Sequence, residues 1–122
     1  MPVEEMEHEE VGLAKKDLPP CPVEVTIRVL CNKWRFLIVR DLLNGPMRFN
    51  ELQKSLGSIT HKVLTANLRE LEQDEVVERT VFAEVPPKTL YGLTEKGRQL
   101  DPVLKAMHLW GDYFRDSLED EG

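Results

Sequence analysis

The stretch Ile59-Thr60-His61-Lys62-Val63-Leu64-Thr65-Ala66-Asn67-Leu68-Arg69-Glu70-Leu71-Glu72-Gln73-Asp74 decides how this chain is read. Thr60 is of the residue type that caps helix starts, and Leu64, Leu68 and Leu71 follow at i, i+4 and i+7 as a narrow apolar stripe that Val63 would widen. At about 100° per residue, Lys62, Thr65, Ala66, Arg69 and Gln73 fall on the opposite side. A helix over Thr60 to Asp74 is expected to pack by one face and to offer the other, basic and built of small residues, to a partner.

Upstream, Phe49, Leu52 and Leu56 predict a short helix over 49–56, stopped by Gly57-Ser58. Another is expected from about Lys33 to Leu43, with Trp34, Leu37, Ile38, Leu42 and Leu43 on its apolar face and Asn44-Gly45-Pro46 at its end. A first helix starts at Pro22, a residue suited to the first helical position, and carries Val23, Ile27, Leu30 and Cys31 at helical spacing. Downstream, Val76 to Glu84 and Thr89 to Leu93 are rich in β-branched and aromatic residues and flank the turn Val85-Pro86-Pro87-Lys88, which is the pattern of a β-hairpin. Thr94 then caps a last helix along which Leu100, Val103, Leu104, Met107, Trp110 and Phe114 keep helical spacing. The chain has no internal repeat.

A short helix, a tight turn, a second helix with a polar outer face and then a two-stranded ribbon is the order of a winged helix-turn-helix. The fold class is mainly α with a small β-hairpin wing (α+β). Its chemistry suits duplex DNA, because a helix fits the major groove, its side chains bond base edges, and flanking bases neutralise phosphates. Lys62 and Arg69 supply charge on the outer face, His61 and Thr65 can bond base edges, and Ala66 allows close approach or contact with a thymine methyl. Asn50, Ser58 and the Thr60 hydroxyl are expected along the phosphate backbone, and Lys88 at the ribbon tip can reach phosphate or the minor groove.

The overall charge is −6 for 122 residues, which at first argues against a nucleic-acid partner. The acid, however, sits at the ends. Residues 1–20 and residues 112–122 each carry a net −4, whereas residues 21–111 hold 13 Lys and Arg against 11 Asp and Glu. The first 20 residues lack apolar periodicity and finish in Leu18-Pro19-Pro20, so residues 1–20 read as a flexible acidic arm and residues 21–122 as the domain. With 41% hydrophobic residues the domain can bury one core, but it is too short for a barrel enzyme or a full dinucleotide-binding fold. The acidic start lacks the pattern of a secretory signal, no apolar run is long enough to span a bilayer, and two cysteines make no disulfide framework, so a cytoplasmic protein without a membrane partner is expected.

Several spaced motifs resemble the HxlR-type transcriptional regulators, a branch of the winged-helix proteins. They are Cys21-Pro22-Val23-Glu24, Lys33-Trp34, Gly45-Pro46-Met47-Arg48-Phe49-Asn50-Glu51-Leu52, Ile59 to Thr65 with Leu68 to Glu72, Glu84-Val85-Pro86-Pro87, and Tyr91-Gly92-Leu93-Thr94-Glu95-Lys96-Gly97. The match runs from Cys21 to about Gly111. It implies a homodimer on an inverted-repeat operator, with the first and last helices as dimerisation helices and Arg48 among the DNA-binding residues. The residues agree: Met107, Leu109, Trp110, Tyr113, Phe114 and Leu118 make the last helix too apolar all round to cover one small core. Val23, Ile27, Leu104, Met107, Trp110 and Phe114 are the expected interface. Where the family commonly has glycine before Lys-Trp this chain has Cys31 and Asn32, and His61 and Asn67 occupy helix positions expected to vary with the operator.

Cys21 lies at a helix start, where backbone N–H groups stabilise a thiolate, so it is a candidate redox or electrophile sensor, as early cysteines are in several members of that family. The alternative is an unreactive packing cysteine. Cys31, on the apolar stripe, is expected in the core. A continuous helix would hold the two thiols about 15 Å apart, beyond the roughly 7 Å that a disulfide tolerates. His8, His61 and His108 share no ligand spacing with either cysteine, so no metal or cofactor is expected, and without an oxyanion hole or glycine-rich cradle neither is enzymatic activity. A small-molecule or oxidant effector fits the regulator, and a winged-helix adaptor that binds protein without DNA is the competing class.

Overall fold

Six helices and one hairpin follow one another in the computed structural model, which describes residues 17–119. They are α1 (Pro22–Val29), α2 (Lys33–Leu42), α3 (Phe49–Leu56), α4 (His61–Gln73), β1 (Val77–Phe82), β2 (Lys88–Leu93), α5 (Glu95–Arg98) and α6 (Asp101–Glu119). Of the arm expected over residues 1–20, residues 1–16 lie outside the described residues, as do 120–122 at the acidic C-terminus.

Side-chain caps set several of these boundaries. Asn32, in extended backbone, accepts the Arg35 N–H and starts α2, and this requirement ends α1 at Val29. Cys31 therefore leaves the helix and is exposed, contrary to its expected place in the core. Cys21 is the exposed N-cap residue of α1, so both thiols flank that helix rather than riding on it. Thr60 caps α4 by accepting the Val63 N–H at 3.1 Å. At the other end of α4, Glu75 takes a left-handed conformation (φ 64°), and the N–H groups of Glu75 and Val76 return to the carbonyls of Glu72 and Leu71. That is a Schellman ending with glutamate where glycine is usual.

The long last helix expected after Thr94 is two helices. Thr94 caps only the short α5, through the Gly97 N–H, and α6 begins at Asp101. Pro102 has no N–H to give the Arg98 carbonyl and its ring would clash there, which disfavours a continuous helix by about 3 kcal/mol or more. Gly97 is needed at this joint, because a Cβ on it would lie 2.2 Å from the Val76 carbonyl oxygen.

One core joins these elements: Leu30, Ile38, Val39 and Leu42 from the first part of the chain, Leu52 of α3, Leu64, Leu68 and Leu71 of α4, and Val76, Val77 and Leu93 at the hairpin base are all buried. Strands β1 and β2 pair antiparallel from Val77 opposite Leu93 to Phe82 opposite Lys88. Met47 and Tyr91 exchange backbone hydrogen bonds at 2.9 and 2.8 Å, which gives the hairpin a one-residue third strand just ahead of α3. The fold is a winged helix-turn-helix. No helix among the described residues is long and apolar enough to cross a membrane.

Candidate nucleic-acid interface

The outer face of α4 and the surfaces beside it are built from three local devices. The first is the turn between α3 and α4, where Gly57 takes φ 84° and lets the chain reverse between Leu56 and the buried Ile59. The second is Phe49 at the start of α3. Its ring meets that of His61 at 4.6 Å between centroids and that of Tyr91 at 6.4 Å, so one side chain fixes the starts of both helices against the wing strand. The third is the Arg79–Glu72 ion pair at 3.5 Å, which ties β1 to α4.

On this frame Arg48 is exposed at the N-cap of α3, and its backbone N–H donates to Glu51 Oε1 at 2.8 Å. Asn50, Ser58, Thr60, His61, Lys62, Ala66 and Arg69 are exposed, and Thr65 is half-buried. Because His61 rests on Phe49, the helix starts that carry Arg48, Asn50 and His61 are brought to one end of the motif. Lys62 and Arg69 share the outer side of α4. Lys88 differs from its expected position: it is not in the turn but opens β2 opposite Phe82, half-buried, with Nζ 5.0 Å from the centre of that ring. The tip of the wing is instead the exposed Val85, whose bond to Pro86 is cis.

Two helix positions depart from the reading of the sequence. Asn67 is buried, and its side chain bonds Asn32, Arg35 and the Val63 carbonyl, so it takes no part in an outward face. Val63 is exposed and does not widen the stripe. Both follow from helix geometry, since at 100° per residue Asn67 lies about 60° from Leu64 and Val63 about 100°.

Among the described residues, Arg35, Arg40, Arg79, Lys96, Arg98, Lys105 and Arg115 have carboxylate partners. Arg48, Lys54, Lys62, Arg69 and Lys88 on α3, α4 and the wing have none, nor do Arg28 of α1 and Lys33 at the start of α2. Lys54, exposed on α3, was missed in the sequence although it is between the inward Leu52 and Leu56. Unpaired, exposed cations around a helix with small side chains form a surface that can exchange its counterions for phosphate. The described residues hold no cluster of His, Cys, Asp and Glu that could bind a metal ion.

The helices expected at a dimer interface have a different character. Val23 and Ile27 of α1 are exposed, as are Met107, Leu109, Trp110, Tyr113, Phe114 and Leu118 of α6, with the Trp110 and Phe114 rings stacked at 5.3 Å. Leu104 is half-buried and packs on the chain's own core, so the uncovered part of α6 begins beyond it.

Known proteins share this arrangement. The HTH-type transcriptional regulator YdeP of Bacillus subtilis (strain 168) is 41% identical over 109 residues, covering 89% of this chain and 85% of that protein. The redox regulator HypR in its reduced form superposes with a TM-score of 0.76 at 45% identity, over 82% of this chain and 99% of that one. Its oxidised form gives 0.72 at 45% identity, over 76% and 96%. Quinone-bound YodB from B. subtilis gives 0.66 at 39% identity, over 76% and 99%. The profile of the HxlR-like helix-turn-helix family matches residues 29–119, from the end of α1 to the end of α6. The likeness thus extends through the helix-turn-helix, the wing and the apolar last helix, and this chain belongs to the HxlR-like helix-turn-helix family of transcriptional regulators.

Proposed function

We propose that the protein is a homodimeric, sequence-specific DNA-binding regulator. In this reading α4 enters the major groove, where Lys62, Thr65, Ala66 and Arg69 meet base edges, and Arg48, Asn50, Ser58, Thr60 and Lys88 run along the phosphates. Two copies joined through α1 and α6 read an inverted repeat whose half-sites lie about 34 Å apart. The observation that carries this is the group of cations without carboxylate partners, Arg48, Lys54, Lys62, Arg69 and Lys88, that α3, α4 and the wing bring together among the described residues. The protein acts by binding, as a cytoplasmic regulator rather than an enzyme, and needs no cofactor or metal.

Cys21 is the proposed sensor of an oxidant or electrophile. Its exposed thiol lies at the start of α1, next to the uncovered Val23 and Ile27. Modification there changes the seating of the two protomers, and both recognition helices must fit the operator at once for tight binding. The likeness to a redox regulator solved in oxidised and reduced forms supports this assignment.

The test is selection of duplexes from a random pool, followed by titration at two salt concentrations with and without a thiol oxidant. An enriched inverted repeat, with binding that weakens steeply in salt, is expected. Lys62→Ala and Arg69→Ala should each reduce affinity, by about 1–3 kcal/mol where the side chain reads a base, or lower the salt slope by about 1 where it meets phosphate. Absence of any enriched sequence overturns the reading in favour of a protein-binding adaptor. An oxidant response that persists in Cys21→Ser removes the sensor.

A further inference from the structure

The leucine stripe holds α4 to the core through contacts that have no preferred direction. A second set of contacts, on the flank of α4 beside that stripe, is directional. Arg35 of α2 is buried, and its guanidinium reaches acceptors on two other segments of the chain. Nη1 donates to the carbonyl of Val29, the last residue of α1, at 2.8 Å, Nη2 donates to Glu70 Oε1, and Nε donates to Asn67 Oδ1 at 3.4 Å. Asn32 closes the arrangement. Its Nδ2 donates to the same Asn67 oxygen at 3.1 Å while its Oδ1 accepts the Arg35 N–H at 3.1 Å. Asn67 in turn donates to the Val63 carbonyl at 2.8 Å.

One planar group therefore joins the end of α1, the start of α2 and the middle of α4. A guanidinium fork needs its acceptors at fixed angles, and a buried charge with a lost acceptor is costly. A rotation or slide of α4 that the leucines would tolerate leaves donors of Arg35 unpaired. Ala66 and Arg69, exposed on the outer face, are the sequence neighbours of Asn67 and Glu70, so the angle set by the clamp is the angle at which they are presented.

We infer that Arg35 is a positioning residue for DNA recognition, which sets the rotation and tilt of α4 and thereby the discrimination between sequences. This rests on the DNA-binding reading above. The role differs from that of Lys62 or Arg69, since the Arg35 side chain is only 7% exposed and lies beneath α4 rather than on its outer face.

The experiment compares the full-length protein with Arg35→Gln, Arg35→Lys and Glu70→Gln. Affinity is measured for the selected duplex and for a scrambled duplex of equal length, each at several salt concentrations, together with thermal unfolding. In Arg35→Gln the ratio of specific to scrambled affinity should fall about tenfold or more, the scale of one or two misread base pairs, while scrambled binding and salt slopes hold because the phosphate contacts are intact. Arg35→Lys keeps the charge without the fork and should regain stability more than discrimination. A ratio unchanged in folded Arg35→Gln means that Arg35 only stabilises the fold, and overturns the inference. If Arg35→Gln is largely unfolded, Glu70→Gln carries the same readout: a reduced ratio supports the clamp and an unchanged one refutes it. A wild-type protein that prefers no duplex is a separate result, which sinks the DNA-binding reading itself and the inference with it.

Discussion

Helices α4 and α6 are both amphipathic, and they finish in opposite states. In α4 the leucines at 64, 68 and 71 are at most 1% exposed and the opposite side carries Lys62, Thr65, Ala66 and Arg69. In α6 Trp110 and Tyr113 are 63% and 68% exposed, and Leu109 is 68% exposed. One helix has completed its packing within the chain, and its spare face asks for a charged, hydrogen-bonding partner. The other has apolar surface left over, which asks for an apolar one. A regulator that reads DNA as a dimer needs one surface of each kind.

The largest effect should come from α4. Leu68→Ala removes a fully buried side chain and is expected to cost about 2–5 kcal/mol, whereas Leu109→Ala, on the uncovered part of α6, should stay within about 0.5 kcal/mol in the monomer. Chemical denaturation at concentrations dilute enough to hold the protein monomeric measures both. Equal losses would erase the contrast between the two helices.

Next in size is self-association. Trp110, stacked on Phe114 in an apolar patch, has the character of an interface anchor, and Trp110→Ala should weaken dimerisation by about 2 kcal/mol, roughly thirtyfold in dissociation constant. Sedimentation over a concentration series gives the value. A wild-type protein that stays monomeric throughout, or a variant that dimerises as well as the wild type, would assign the exposed surface of α6 to some other role.

Much of this contrast was legible in the sequence because it depends on periodicity. The stripe of α4, the cap at Thr60, the limits of α3 and the ribbon after them all come from local rules, and the excess of apolar residues on α6 is visible from composition alone. What was not legible depends on contacts between distant segments. Asn67 looks like a surface residue until Arg35 and Asn32, more than 30 residues earlier, are brought beneath it. Nothing local marks Arg35 as buried, since a lone arginine among Trp34, Phe36 and Leu37 is usually solvated. Lys88 moved from turn to strand because hairpin register is settled by pairing across the ribbon. The break before α6, by contrast, was legible: Pro102 announces it, and the apolar spacing across Leu100 and Val103 masked it. The outward positions of α4 were therefore readable from its period, whereas Lys54, the register of Lys88 and the support from Arg35 were not.

The smallest expected effect probes how far that inner support extends. Asp74 ends α4, with its carboxylate 3.9 Å from Arg35, and its pKa is raised above the ordinary aspartate value. Burial is the main cause, opposed by the positive charges of Arg35, Arg28 and Lys96. The folded chain thus binds this proton more tightly than the unfolded chain. Its contribution to stability is complete below the unfolded aspartate pKa and is lost as pH rises through the raised folded value, the reverse of a salt-bridged carboxylate. A carboxyl-detected NMR titration should find Asp74 protonating above the ordinary range, and Arg35→Gln should push it higher by removing an opposing charge. In Asp74→Asn the pH dependence of unfolding over that window should lose this component. If Asp74 titrates at or below the ordinary value, the Arg35 charge outweighs burial at the end of α4, and the clamp at its middle reaches further than the hydrogen bonds alone indicate.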